Sequence, residues 1–314
     1  MRPKAEKINQ IEPLKIVTIG DLERRLGVLR DKLQALADNP SDYYSPCLIE
    51  KPARPFAKNK KKQKVRLIDR PILDLVDLQS RIYYALLRNL RMPPHICGGV
   101  KGRSVLTNVA HHQNSALIVS LDVKDFFPSI TSRHVRHVWR NVLKCSRQVS
   151  KLLTSLTTVG NHLPQGSPVS TALSNLVLYS IDRDIRRAAL EHGITYSAYV
   201  DDLTLSGRDA RKMIPIVIAT LKAAGFRTSR SKLKIMGAGS PKIVNGVVAG
   251  KKPSLPKQRR KQIRAAFHRL PEIRDEDRDS YLASLKGRVM YSASVNADQA
   301  EVFKTALSGI AAKQ

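Results

Sequence analysis

A chain of 314 residues, 42% hydrophobic and 26% charged, has the material for a large core and for one big domain or two or three subdomains. Its 55 Lys and Arg against 26 Asp and Glu leave a net charge of +29, a field that attracts polyanions, nucleic acid foremost and anionic membrane less so. The most apolar run, "IPIVIATL", is too short to span a bilayer, the start "MRPKAEKINQIEPL" lacks the apolar centre of a signal peptide, and Cys47, Cys97 and Cys145 are too scattered for a disulfide framework or zinc knuckle, so a reducing cytoplasm is expected.

In chain order, "RPFAKNKKKQKVR" (Arg54 to Arg66) carries seven Lys or Arg and no acid, a candidate nucleic-acid surface. Leu75, Leu78, Ile82, Leu86 and Leu90 recur every three to four residues and predict an amphipathic helix over 73–90. "ALIVSLDV" (Ala116 to Val123) predicts a strand that leads into a helical stretch after "PSI". Ser167 and Pro168 read as an N-cap and first-turn proline, opening a helix that reaches about Leu190. "ITYSAYVDDLTLS" (Ile194 to Ser206) predicts a half-buried hairpin with Asp201 and Asp202 at its turn. Met213 to Ala224 predicts a helix that tolerates Pro215 only in its first turn. "KIVNGVVAG" reads as a strand pair or a strand and turn, and Pro253 and Pro256 mark a linker into a helical tail. A second basic run, "KKPSLPKQRRKQIR" (Lys251 to Arg264), again holds seven Lys or Arg. The sum is an α+β chain, helices around a small antiparallel sheet.

Adjacent carboxylates repel unless a cation holds them together. Asp122 and Asp125, in "SLDVKDFFPSI", form a second acidic cluster at the end of the strand over 117–123. If that strand pairs with the hairpin, Asp122 faces Asp201 across the sheet. Carboxylates so placed bridge two hard cations about 3.5–4 Å apart, the arrangement of in-line phosphoryl transfer. Oxygen-only ligands select Mg²⁺, and two ions are expected. One would acidify an attacking hydroxyl and the other would stabilise a leaving pyrophosphate. The plainer alternative, an ordinary polar turn at Asp201-Asp202, stays open on the dipeptide alone.

"LDVKDFF", "LPQGSPVSTALSN", "YVDD", "GFRTSRSKLKI" and "IVNGVVAG" follow one another in the order and spacing of the palm motifs of reverse transcriptases, which the chain resembles from about Arg66 to Val295. Within that family it is most similar to bacterial retron enzymes, through "DFFPSI", "NVAHH" (Asn108 to His112) and "VNG" (Val244 to Gly246). Three positions depart from the retron pattern: Val109 stands for the alanine of N-A-x-x-H, Asn245 for the threonine of V-T-G, and Thr171 where a second proline commonly follows the Q-G-x-P segment.

The resemblance implies a right-hand polymerase: fingers with an N-terminal helical segment over 1–115, a palm over 116–250 and a basic helical thumb over 251–314. It implies Asp122, Asp201 and Asp202 as catalytic residues and, with the Val123 carbonyl, as metal ligands. Asp125, Phe126, Phe127, Gln165 and Gly166 would line the nucleotide pocket. Lys64 and Arg66 would grip the triphosphate, and Lys232 would lie near it as a proton donor to pyrophosphate. Phe127, five residues after Asp122, would place its ring beneath the incoming sugar, where bulk excludes a ribose 2′-hydroxyl and favours dNTPs; Phe126 reads as a core aromatic. Asn108, His112, Val244, Asn245 and Gly246 are expected to serve RNA recognition, and Arg259, Arg260, Lys261 and Arg264 to face duplex phosphates.

By the same resemblance the template would be a structured noncoding RNA encoded nearby. Priming would start from an internal guanosine 2′-hydroxyl, the product would be a branched RNA–DNA hybrid (msDNA), and a toxic effector protein would join the enzyme in antiphage defence, with no membrane involved. Another bacterial reverse transcriptase, group II intron-like or diversity-generating, is the nearest rival. A non-catalytic RNA-binding protein is the rival from a different class.

Overall fold

A computed structural model describes residues 11–50 and 65–311. Thr18 and Asp21 cap each other reciprocally to start α1 (Ile19–Leu26), and Gly27 closes it in left-handed backbone at φ 64°. α2 (Arg30–Asp38) follows. Leu22, Leu26, Leu33 and Leu36 are buried, so both helices join the main core. β1 (Tyr44–Glu50) and β2 (Val65–Pro71) form an antiparallel pair, Tyr44 opposite Pro71 and Glu50 opposite Val65. Cys47 is exposed on β1, whereas Cys97 and Cys145 are buried.

α3 (Leu73–Ile82) runs into a π-turn at Tyr83–Leu87, and the expected apolar stripe is inside: Leu75, Leu78, Ile82 and Leu86 are buried. Gln79 is buried on the same face because its polar atoms are all engaged. Its amide donates to Tyr44 Oη at 2.7 Å and Leu156 O at 2.8 Å, and its Oε1 accepts from Ser167 Oγ at 2.7 Å.

α4 (Val105–Ala110) precedes β3 (Ile118–Asp122), α5 (Phe126–Ser129), α6 (Ser132–His137) and α7 (Arg147–Thr157). A π-turn at Val138–Val142 extends α6. The helix expected from Ser167 to about Leu190 is two helices, α8 (Ser170–Ile181) and α9 (Arg183–Glu191). Ser167 Oγ donates to Gln79 Oε1 and accepts from Val169 N–H at 3.3 Å, and α8 begins three residues later. The break falls at Asp182, whose buried carboxylate accepts from His95 Nε2 at 2.9 Å and Arg186 Nε at 2.8 Å.

β4 (Thr195–Tyr199), β5 (Asp202–Ser206), α10 (Met213–Ala223) and β6 (Lys234–Met236) complete the centre, with Pro215 in the first turn of α10 as expected. β3, β4, β5 and β6 make an antiparallel sheet in the order β4-β5-β3-β6. "KIVNGVVAG" forms a two-residue hairpin of β7 (Ile243–Val244) and β8 (Val247–Val248). Three helices follow: α11 (Lys257–Arg269), α12 (Asp275–Val295) and α13 (Ala297–Ala311). A second, smaller core joins them to the sheet through Val109, Ile118, Met236, Val247, Ile263, Val289 and Phe303. No described helix is long and apolar enough to cross a membrane.

Candidate active site

The expected pairing of the strand over 117–123 with the "YVDD" hairpin forms, in a register that moves the facing carboxylate by one residue. β3 runs antiparallel to β5 from Ile118 opposite Ser206 to Asp122 opposite Asp202. The hairpin closes through Val200 and Asp201, so Asp202 is the first residue of β5 and lies across from Asp122, the place expected for Asp201. Asp201 stays beside them, its carbonyl accepting the Val123 N–H at 2.9 Å.

This turn is held from outside. Val200 has φ 59°, left-handed backbone that a β-branched side chain disfavours. Against it lies residue 98: a Cβ there would sit 2.6 Å from Val200 N, so only glycine fits. The segment before Gly98 is bonded along β4, with Ala198 N–H donating to His95 O at 2.7 Å and Cys97 N–H to Ala198 O at 2.8 Å. Asn175 on α8 donates to Gly98 O at 2.7 Å.

Asp122 is buried, and its Oδ2 accepts from Lys232 Nζ at 2.5 Å. Ser229 N–H donates to Asp122 O at 2.8 Å, bringing the lysine's segment alongside β3. Burial pushes the Asp202 carboxyl up to about 6, aided by the nearby Asp201 and Asp122 charges and offset by Lys232 and a hydrogen bond from Asn245. Three neighbouring carboxyls, with one ammonium on Asp122, are a donor set suited to hard cations. Among the described residues no three His, Cys, Asp or Glu side chains enclose a cation. An all-oxygen set of this kind suits a divalent cation that takes further ligands from outside the protein.

Other expected residues fall on β2, on α5 and in the loop before α8. Val123 is buried directly after Asp122. Asp125 is exposed at φ 47° at the start of α5. Phe126 is buried against Phe226, ring centroids 5.8 Å apart, as a core aromatic, and Phe127 is half-buried beside it. Gln165 is half-buried, and Gly166, at φ 104°, abuts β2 so closely that a Cβ would meet Ile68 Cγ2 at 2.8 Å. His162 Nε2 bonds Asp69 Oδ2 at 2.8 Å and ties the same loop to that strand. Arg66 lies on β2 opposite Ile49; Lys64 falls outside the described residues.

Asn108 and His112 are corrections to the reading of direct RNA contact, because both are fully buried with protein partners. His112 bridges the hairpin from beneath, Nδ1 to Ser206 Oγ at 2.7 Å and Nε2 to Ser197 Oγ at 2.6 Å, and burial lowers its pKa to about 3. Asn108 donates to Asn245. Val244 is buried too, whereas Asn245, Gly246 and Arg259 line a groove of about 1000 Å³ between the β7–β8 hairpin, α11 and α12. Arg260 is half-buried, Lys261 exposed, and Arg264 lies over the Phe303 ring of α13 at 6.0 Å, so this basic set is split between faces of α11.

One charged cluster escaped the sequence reading. Arg133, Arg136 and Arg140 face Arg147 and Lys151 of α7 across a concavity of about 610 Å³, with no carboxylate paired to any of them among the described residues. The spacing 133, 136, 140 was its signal: a helical basic stripe outside the two long basic runs.

The profile of the reverse transcriptase (RNA-dependent DNA polymerase) family matches residues 57–264. The chain belongs to the reverse transcriptase family. Its fold, a small antiparallel sheet carrying the carboxylates with helices on either side in sequence, is that of a right-hand polymerase. The resemblance to retron enzymes is borne out. The chain is 33% identical to the retron Mx65 reverse transcriptase of Myxococcus xanthus over 78% of its own length and 62% of that protein's. It is 32% identical to the retron Ec86 reverse transcriptase of Escherichia coli over 66% of each, and 27% identical to the retron Se72 reverse transcriptase of Salmonella heidelberg over 79% and 66%. The matches thus span less than two thirds of these relatives' own lengths. A solved apo telomerase from Candida Tropicalis, truncated from its C-terminal domain, superposes over 69% of this chain and 57% of its own at 12% identity with a TM-score of 0.43, too loose a likeness to carry weight.

Proposed function

We propose that the protein is a retron RNA-directed DNA polymerase that uses dNTPs to copy a structured noncoding RNA into a branched RNA–DNA hybrid, with an effector protein as its partner in antiphage defence. The observation that carries the polymerase reading is the meeting of Asp122 and Asp202 on paired strands, Asp201 in the adjoining turn and Lys232 against Asp122. Fingers up to about residue 115, palm to about 250 and a thumb beyond it belong to the same reading.

In that role Asp122, Asp201, Asp202 and the Val123 carbonyl would hold two Mg²⁺ ions. The ions would supply the charge that activates a primer hydroxyl and stabilises departing pyrophosphate. Lys232, held against Asp122, would supply a proton to that leaving group. The half-buried Phe127 ring closes the space beneath the sugar against a 2′-hydroxyl, and Gln165 and Gly166 shape the floor under the template base. Lys64 and Arg66 would meet the triphosphate, and Asp125 and Phe126 support the pocket wall. Arg259 in the groove, with Arg260, Lys261 and Arg264 on the same helix, would neutralise backbone phosphates of the RNA–DNA duplex.

The test is Asp201→Asn, which removes a ligand and a charge at constant volume. Primer extension in Mg²⁺ on an RNA template is expected to fall below detection while urea unfolding keeps the wild-type midpoint. Residual synthesis near wild type, or a wild-type protein that extends no primer, would overturn the reading.

A further inference from the structure

Two amides connect the thumb-side groove to the carboxylates. Asn108 Nδ2 donates to Asn245 Oδ1 at 2.5 Å, and Asn245 Nδ2 donates to Asp202 Oδ2 at 3.1 Å. The direction of the chain is set by its end. An ionised carboxylate only accepts, so Asn245 must turn its NH₂ to Asp202 and its oxygen to Asn108.

Both ends are built to stay in place. Asn108 is fully buried on α4, a helix whose start is fixed by the mutual cap of Ser104 and Thr107 and whose neighbour Val109 sits in the smaller core. Asn245 and Gly246 are the two turn residues of the β7–β8 hairpin, at φ 46° and 82°. Among non-glycine residues asparagine enters left-handed backbone most readily, and its amide both accepts and donates. A β-branched threonine, the residue the retron motif leads one to expect here, fits that backbone poorly and has a shorter reach. The departure at position 245 therefore has a physical reason in this chain.

We propose that Asn245 is a positioning residue: buttressed by Asn108, it fixes the Asp202 carboxyl toward Asp122 and couples the hairpin that lines the groove to the catalytic centre. This rests on the polymerase reading. It assigns Asn108 and Asn245, from two separate motifs, a single role beside Asp202.

The test uses the full chain carrying Asn245→Gly or Asn245→Asp. Glycine keeps the left-handed turn and deletes the amide. Aspartate keeps the volume and the acceptor for Asn108 but replaces the donor to Asp202 with a repelling oxygen. Mn²⁺ binding to the substrate-free protein is read from the free-ion EPR signal, and kcat and KM for dNTP from primer extension. Partners that orient a metal ligand typically govern about 10- to 100-fold in affinity or activity. Asn245→Gly is expected to lower kcat and Mn²⁺ affinity by about tenfold or more, with KM for dNTP within about twofold and the urea midpoint unchanged. Asn245→Asp is expected to lower kcat as far without weakening Mn²⁺ binding, because it adds a charge while misdirecting Asp202. Wild-type kcat and Mn²⁺ affinity in both variants, or losses that only track unfolding, would overturn the proposal. If the wild type extends no primer, the polymerase reading falls while the Mn²⁺ measurement still decides whether Asn245 positions Asp202.

Discussion

Two hairpins in this molecule close through two residues each, and they meet the demands of the turn in opposite ways. β7–β8 uses Asn245-Gly246, residues that enter left-handed backbone at little cost, so the turn follows from local chemistry. β4–β5 uses Val200-Asp201, with a β-branched residue at φ 59°, where left-handed backbone costs about 1–2 kcal/mol. That turn is imposed from outside, by the Gly98 wall on one side and by His112 clamping Ser197 and Ser206 on the other. The hairpin that bears the carboxylates is the one whose shape the surrounding fold must enforce, and strain held at a functional turn is the usual sign of such a site.

The sharpest way to break the contrast is at the wall. Gly98→Ala places a Cβ 2.6 Å from Val200 N and 2.9 Å from Tyr199 C, both backbone atoms, so the turn must move. A displacement of about 1 Å near the chemistry costs about 100-fold in rate, and overpacking of this kind about 1–3 kcal/mol in stability. Primer extension and urea unfolding measure the two; wild-type values in both would mean that the turn does not depend on its wall.

Next in size is a pH dependence confined to the catalytic hairpin. His112 is neutral in the fold, with its pKa lowered by burial, and then by His111, to about 3, against 6.5 when unfolded. Its contribution to stability is complete above pH 6.5 and is lost as pH falls from 6.5 toward 3, because the unfolded chain then binds the extra proton. At about 1.4 kcal/mol per pH unit, the loss reaches about 2 kcal/mol by pH 5. Other histidines also titrate, so the measurement is the difference between wild type and His112→Gln in urea midpoints at pH 7.5 and 5. Parallel profiles would show that the clamp does not titrate.

The smallest effect is expected at the conforming turn. Gly246→Ala meets no atom within 4 Å, and only the left-handed backbone, φ 82°, opposes it. Its cost is about 1 kcal/mol in urea unfolding, without the collision that Gly98→Ala creates.

What the sequence disclosed and what it hid divide along the same line. The strand before Asp122, the Asn-Gly hairpin, the first-turn Pro215 and the stripe from Leu75 to Leu86 all rest on neighbours in the chain, and period and turn chemistry reveal them. The placement of the turn at Val200 was hidden because a valine there contradicts local preference. The same holds for Asn108 and His112, whose partners lie 137 and 94 or 85 residues away in the chain. Motif resemblance marked both as important, but only packing decides that they face inward. Asp182 is the third case: mid-helix it reads as an exposed acid, and its burial depends on His95 arriving from another segment.

The distribution of thiols and indole equips this protein with ready-made optical reporters. Cys47 alone among its cysteines is exposed, on the strand paired to the one that abuts Gly166, while the single tryptophan, Trp139, is sealed in the main core. A maleimide dye would therefore attach to the unaltered chain at one position on the β1–β2 ribbon. Energy transfer from the indole to that dye would then report the distance between the ribbon and the main core, and any change in it on addition of RNA or dNTP, without engineering a label.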